Sequence, residues 1–218
     1  KQLLLTVPVF ILVSFAVLVT IIQIPAIQTK ILGSLIDQIA SRTDYKIDIG
    51  YTNLTWFDRV IIKEVKISDS QDSILMETDK VSANIHLYDL ILYKKIHFEE
   101  IEFTRPEVHI LKKSDSSSIN ISEFISQIRR RNVKKKKSSI LRINSVKVLD
   151  GLFTYNDMTK PVIEEGKDHN HFGYRSIYSQ LNEFEQYSDT INFEFTYLQA
   201  FDLKNELNLR SLEGDFQY

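Results

Sequence analysis

Val60-Ile61-Ile62-Lys63-Glu64-Val65-Lys66-Ile67 decides the fold. Its residues Val60, Ile62, Val65 and Ile67 occupy places 1, 3, 6 and 8 of the run. Apolar residues two apart share one face of a β-strand, whereas a helical face returns every three to four residues. Strict alternation would send Val60 and Ile62 to one face, and Val65 and Ile67 to the other. A β-bulge at the polar pair Lys63-Glu64 restores a single apolar face and adds twist and bend to the strand.

The same spacing recurs along the chain. It appears as Ile49, Tyr51, Leu54 and Trp56, as Ile96, Phe98, Ile101 and Phe103, and as Leu141, Ile143, Val146 and Val148. A weaker copy is Leu207, Leu209 and Leu212, with Gly214 in the last place. Recurrence at this level predicts repeated, strongly curled strands with one oily face. Matching strands lie between the copies. Val81, Ala83, Ile85 and Leu87 alternate, as do Ile191, Phe193, Phe195 and Tyr197. Arg105-Pro106-Glu107 and Asp150-Gly151 carry turn chemistry, the latter the strongest short hairpin cue in the sequence. The pattern therefore predicts a mainly β chain with a few helices. Its centre is an antiparallel meander over 45–218, curled into an open apolar groove, with the residues of the first four copies other than Trp56 as the lining. The pattern still runs at Phe216-Gln217-Tyr218, so further strands are expected beyond it.

One insertion, 114–139, interrupts the strands. Asn120 or Ser122 can cap a short helix carrying Ile121, Phe124, Ile125 and Ile128. It leads into Arg129-Arg130-Arg131 and Lys134 to Lys137. Such a run is most often a solvated loop; contact with anionic lipid headgroups is the alternative.

The N-terminal segment has another character. No charge separates Lys1 from Lys30, and Leu3 to Ile27 is nearly all aliphatic or aromatic. A bilayer core ~30 Å thick needs roughly 20 such residues. The reading is a transmembrane signal-anchor over 1–28, with Leu4, Phe10, Leu12, Phe15, Leu18, Ile22 and Ile24 facing lipid and Pro25 at its exit. A cleavable signal peptide would have a shorter apolar core and a small-residue cleavage site. Lys1 is not an initiating methionine, so a short basic leader is expected ahead of it, leaving the bulk of the chain exported. Over 26–43, Ile27, Ile31, Leu35 and Ile39 fall four apart, with Leu32 and Ile36 beside them. This amphipathic helix caps a sheet or lies on the bilayer surface, and the β pattern that begins at Tyr45 favours the cap.

Composition narrows function by exclusion. Net charge is −2 over 218 residues, whereas nucleic-acid binding calls for a strongly basic face. Gly166-Lys167 lacks the earlier glycine and the following Ser or Thr of a phosphate-binding loop, so no nucleotide site is read. There is no cysteine, hence no thiolate chemistry. His169 and His171, near Glu164, Glu165 and Asp168, have a spacing that could hold a metal on a strand, but in a polar loop they are ordinarily exposed. His86, His97 and His109 read as outward polar residues of strands. No catalytic constellation emerges, no cofactor is implied, and the chain reads as a non-enzyme.

Several stretches, in order, resemble the N-terminal part of the TamB family in the AsmA-like superfamily, most closely its Bacteroidota type. They are Gln23-Ile24-Pro25-Ala26-Ile27-Gln28, Tyr45-Lys46-Ile47-Asp48-Ile49-Gly50, Trp56-Phe57, Val65-Lys66-Ile67-Ser68-Asp69, and Ile74 through Ile85. The resemblance is looser beyond Ser114. It implies a single-pass inner-membrane protein whose bulk crosses the periplasm as a β-taco, related to chorein-like bridge proteins. The implied task is moving phospholipids towards the outer membrane, partnered with an Omp85-type, TamA-like barrel. The alternative family role is translocation and assembly: a scaffold or chaperone assisting outer-membrane protein insertion or secretion.

Overall fold

The computed structural model describes residues 43–55, 59–85, 96–115, 118–130, 141–164, 167–187, 190–204 and 208–217. The expected anchor and nearly all of the amphipathic helix lie outside them, as do His86, Leu87, Trp56 and Leu207.

The described chain is mainly β. Its strands are β1 (Lys46–Asp48), β2 (Tyr51–Thr55), β3 (Arg59–Ser68), β4 (Ile74–Ile85), β5 (Ile96–Lys112), β6 (Leu141–Asp157), β7 (His171–Tyr187), β8 (Thr190–Asp202), β9 (Asn208–Leu209) and β10 (Gly214–Gln217). One helix, α1 (Asn120–Arg130), lies between β5 and β6. The strands form a single sheet in the order β1-β3-β4-β5-β6-β7-β8-β10, with β2 also on β3 and β9 also on β8.

The sheet corrects three expectations. The first is the meander: β5 and β6 pair in parallel. Parallel neighbours need a crossover of a dozen or more residues, and the insertion carrying α1 supplies it. The second concerns the turn cues. Arg105-Pro106 lies inside β5 and Asp150-Gly151 inside β6. Arg105 and Asp150 do adopt left-handed backbone, with φ of 49° and 57°, yet the chain runs straight on. The third is the curl: the sheet is open and uncurled.

The register explains both the failed turns and the missing curl. Glu64 (φ 56°) faces Asp79, Asp79 faces Arg105, and Arg105 lies beside Asp150. Ser176 (φ 47°) adjoins Ile177, the partner of Gly151. The left-handed residues thus form one transverse crease across β3 to β7. A lone bulge bends a strand because two of its residues oppose one. Here β3, β4, β5 and β6 keep their register across the crease, so these neighbours lengthen together and no net curl is forced among them, while the extra residue of β7 between Arg175 and Tyr178 shifts its register against β8.

A second crease lies six residues away on β5. Asn84 pairs with Glu100 but Ile85 pairs with Phe98, leaving Glu99 as an extra residue. Beside it Asn144 donates to Glu99 Oε2 at 3.0 Å, and Glu183 on β7 has φ 52°. Because β4 alternates normally at Ala83, Asn84 and Ile85, the partners Ile101 and Phe98 are brought to one face. This is the bulge that the three-residue step implied.

The β5–β6 pair holds one register, n with n+45, from Ile96 and Leu141 to Lys112 and Asp157, with the ladder interrupted at the two creases. The two strands carry one pattern twice, including the left-handed residues Arg105 and Asp150. The pair closes on an ion pair, Lys112 Nζ to Asp157 Oδ2 at 3.0 Å. The weak fifth copy is not one strand: Leu209 is in β9, Leu212 is exposed between strands, and Gly214 opens β10.

Candidate functional site

Directly paired residues share a sheet face. On that rule one row runs Val60, Ala83, Ile101, Val146, Leu181 and Phe195, from β3 to β8. A second runs Ile62, Val81, Phe103, Val148, Ser179 and Leu198. Past the second crease a third runs Ile85, Phe98, Ile143 and Phe184, whose ring stacks on Phe193 at 6.5 Å. The first crease does not break the face. A Cβ on Gly151 would lie 3.0 Å from Val148 Cγ1 and 3.4 Å from both Pro106 Cγ and Ile177 Cβ. Position 151 therefore shares the side of Val148, and Phe153 and Tyr155 follow by alternation. Their partners Tyr174 and Phe172 complete an aromatic patch. Tyr155 and Phe172 stack with centroids 5.3 Å apart, and Phe153 and Tyr174 lie 6.1 Å from Phe172.

This face is only partly covered. Among the described residues the buried apolar side chains are Tyr45, Leu75, Ile110, Ile143 and Ala200. All the other row residues just named are half-exposed. At ~4.8 Å per strand the first row is roughly 24 Å long. A ~30 Å bilayer core houses two leaflets, so one acyl chain needs roughly 15 Å. The row is long enough to hold one lying across the strands.

The opposite face is mainly polar, with Ile61, Leu149 and Leu152 among its residues. Lys80 pairs with Glu102 at 3.0 Å, Lys147 with Glu100 at 2.5 Å, and Arg59 Nε donates to Ser82 Oγ at 3.1 Å. His97 and His109 are polar strand residues, as the alternation implied: one ring bonds Asn144 at 3.0 Å, the other Thr154 at 2.9 Å.

Most of the lining residues read from sequence meet on the apolar face. Val60, Ile62, Phe98, Ile101, Phe103, Ile143, Val146 and Val148 are in its rows. Leu54 pairs in register with Val60, and Ile96 with Leu141. Val65 and Ile67 continue β3 past the crease, paired with Thr78 and Met76. Ile49 sits half-buried between β1 and β2. Tyr51 is a correction: it pairs with Lys63, accepts a hydrogen bond from Asn53, and is 40% exposed. β2 pairs with β3 without a bulge, so Tyr51 shares the face of Lys63 and not that of Ile62. Sequence reading did not assign the aromatic patch to this surface, although Phe153, Tyr155, Phe172 and Tyr174 alternate; only cross-strand register gathers them. The anchor residues Leu4, Phe10, Leu12, Phe15, Leu18, Ile22 and Ile24 lie outside the described residues. Among the described residues no helix is long and apolar enough to cross a membrane.

One buried carboxylate ties Ile163 to Asn170 and His171. Asp168 accepts from the amides of Ile163 (2.9 Å), Asn170 (2.9 Å) and His171 (3.1 Å), and bonds the His171 ring at 3.0 Å. This is a hydrogen-bonded loop anchor; among the described residues no three metal-ligating side chains gather. The Ile163 amide, then those of Asn170 and His171 with the His171 ring, hold the Asp168 carboxyl down at about 2. A depressed carboxyl stabilises the fold above its unfolded-state pKa of about 3.9, and that contribution is lost as pH falls through the folded value. The carboxylate step in the amide resonances of Ile163 and Asn170 is therefore expected between about pH 4 and 2. A midpoint at 4 or above in an NMR titration would contradict the assignment.

A second junction joins the start of the described chain to α1. The Tyr45 hydroxyl donates to the Asn120 carbonyl at 2.9 Å, its ring meets Phe124 edge-on at 5.0 Å, and Gln127 bridges Asp44 through 2.7 Å and 3.1 Å bonds. Burial, reinforced by Glu123, Asp69 and Asp44, pushes the Tyr45 phenol up to about 12.

No protein-family model matches this chain, and no curated protein matches it either.

Proposed function

We propose that this chain is the membrane-proximal part of a lipid bridge, anchored in the inner membrane by residues 1–28 and carrying phospholipids across the periplasm towards the outer membrane. One observation carries the reading: a half-exposed apolar face runs unbroken over six strands while the reverse face is laced with ion pairs. Each methylene in water costs ~0.8 kcal/mol. An acyl chain of roughly 16 carbons therefore costs about 13 kcal/mol, and an open face shields about half of it. Chains would be held firmly enough to leave water, yet loosely enough to pass on. Such a path needs no bond-breaking residue. The resemblance to the TamB family supports the same reading, including an Omp85-type partner barrel.

A scaffold for outer-membrane protein assembly is the second reading. On the outer side of β8, Asn192–Phe195 pair with β10 and Ala200–Phe201 with β9. Among the described residues Thr196–Gln199 have no strand there, and an open edge can accept a client strand. Photo-crosslinkers at Val65, Ile101 and Val146 in cells separate the two. The bridge predicts labelled phospholipid adducts at all three. Adducts only with nascent barrel proteins would replace the bridge by the scaffold.

A further inference from the structure

We propose that a cavity at the end of β7 and β8 binds the phosphate of an amphiphile's polar head, with the attached chain lying over the aromatic patch. This deepens the lipid reading above and rests on it.

The cavity measures about 230 Å³. At ~30 Å³ per water that is room for roughly eight, enough for a phosphate ester and too little for an acyl chain. Lys167, Lys204, His169 and His171 line it. Lys204 is held in place: its Nζ donates to the Ile163 carbonyl at 3.2 Å, and its amide donates to Asp202 Oδ1 at 3.0 Å. An ammonium has three donors, and the Ile163 contact uses one. The His171 ring is fixed by Asp168 at 3.0 Å. That carboxylate also lines the cavity, but both its oxygens are engaged by the loop, Oδ1 by two amides and Oδ2 by one amide and the His171 ring. Lys167 and His169 are exposed. Asp202 lines the cavity too, with its Oδ1 taken by the Lys204 amide. Beside these two carboxylates the wall offers two ammonium groups and two imidazole rings, donors that recognise phosphate oxygens.

The remaining wall separates a lipid head from a free anion. Phe172 and Tyr174 line the same cavity, and both belong to the aromatic patch on the apolar face. Phe172 is 36% exposed. Inorganic phosphate gains nothing from two rings at its side, whereas an ester whose chain leaves over Phe172 gains their contact.

The test uses the full chain in a non-ionic amphipol, following the ring signals of His169, His171, Phe153 and Tyr155 by NMR, with the methyl signals of Ile101 and Val146 as reporters of the apolar rows. The probes are inorganic phosphate, glycerophosphoethanolamine and dihexanoyl phosphatidylethanolamine. The short-chain lipid is expected to shift both histidines and to bind at least tenfold tighter than the free head group. Lys167→Gln with Lys204→Gln should weaken both by at least tenfold, with the methyl spectrum unchanged. Lys167→Gln alone, at an exposed position, should act in the same direction if the double variant folds poorly. Equal affinity for phosphate and lipid would make this a free-anion site and overturn the proposal. So would histidine signals that no probe moves. Methyl shifts with silent histidines would leave the apolar path standing and remove only the head-group site; shifted histidines with silent Phe153 and Tyr155 rings would leave the chain off the patch and overturn the proposal.

Discussion

Replacing Val146 by glutamate is expected to cut phospholipid crosslinking from Ile101 by at least tenfold while leaving the sheet folded. Val146 is paired with Ile101 on the parallel neighbour and with Leu181 on the other side, at the centre of the apolar face. Its side chain is half-exposed, so a carboxylate there keeps much of its water in the free protein and costs little stability. A lipid chain crossing the face would strip that water. Even partial desolvation of an unpaired charge costs about 2 kcal/mol or more, and 1.4 kcal/mol is already tenfold in affinity. Thr196→Glu is the control, since Thr196 is exposed and accepts a hydrogen bond from Asn182 on the polar side. Adduct yields at Ile101 report the effect, and circular dichroism reports the fold. Undiminished lipid adducts in a folded Val146→Glu protein would mean that lipid does not cross this face.

The one-sided chemistry depends on the creases. Without Glu99 as an extra residue, Phe98 and Ile101 would point to opposite faces, and the same holds for Ile143 and Val146 on β6. Left-handed backbone at a non-glycine residue costs on the order of 1 kcal/mol. The sheet bears that cost at Glu64, Arg105, Asp150, Ser176 and Glu183, all polar, where a side chain turned to water loses little. The return is an apolar surface kept on one side along 17-residue strands such as β5 and β6. Arg105 and Asp79 also pair across the first crease, so opposite charges meet where the backbone is least regular.

The eight-residue spacing was legible because period and bulge both leave a trace in residue type. Two apolar residues, a polar pair and two more can share a strand face only if the pair is irregular. The same signal failed at Tyr51, where Tyr51 and Leu54 show the spacing but β2 takes no bulge; polarity at Thr52 and Asn53 permits one without requiring it. Asp150-Gly151 misled for a related reason. Asp accepts left-handed backbone readily, and that conformation serves a crease as well as a turn. Which one results depends on Arg105 and Ser176 on the neighbouring strands, 45 residues before and 26 residues after in the chain. Parallel pairing of β5 and β6 was hidden likewise: two like copies fit either direction, and only the long insertion between them allows the parallel one. The aromatic patch and the loop around Asp168 are products of register and backbone donors, which residue spacing does not encode.

Asn120→Ala is expected to destabilise the protein by about 3 kcal/mol, because more than a helix cap is removed. The sequence marks Asn120 as a capping candidate, a role worth ~1 kcal/mol. In the structure its Oδ1 accepts from the amides of Ile121 at 2.8 Å and Leu111 at 3.0 Å, and its Nδ2 donates to the His109 carbonyl at 2.8 Å. The side chain thus ties the start of α1 to the end of β5, and the residue is 7% exposed. Alanine would leave the Leu111 amide and the His109 carbonyl without this partner, at roughly 1 kcal/mol or more each. At 2–4 °C per kcal/mol for a chain of this size, Tm should fall by roughly 9 °C. Asn120→Asp separates the terms, since it keeps the acceptor for Ile121 and Leu111 and loses the donor to His109; it should cost less than alanine. Ser122→Ala, at an exposed position of the same helix, should change Tm by no more than about 1 °C. A thermal melt in which Asn120→Ala and Ser122→Ala behave alike would show that the β5–α1 junction contributes nothing beyond an ordinary helix start.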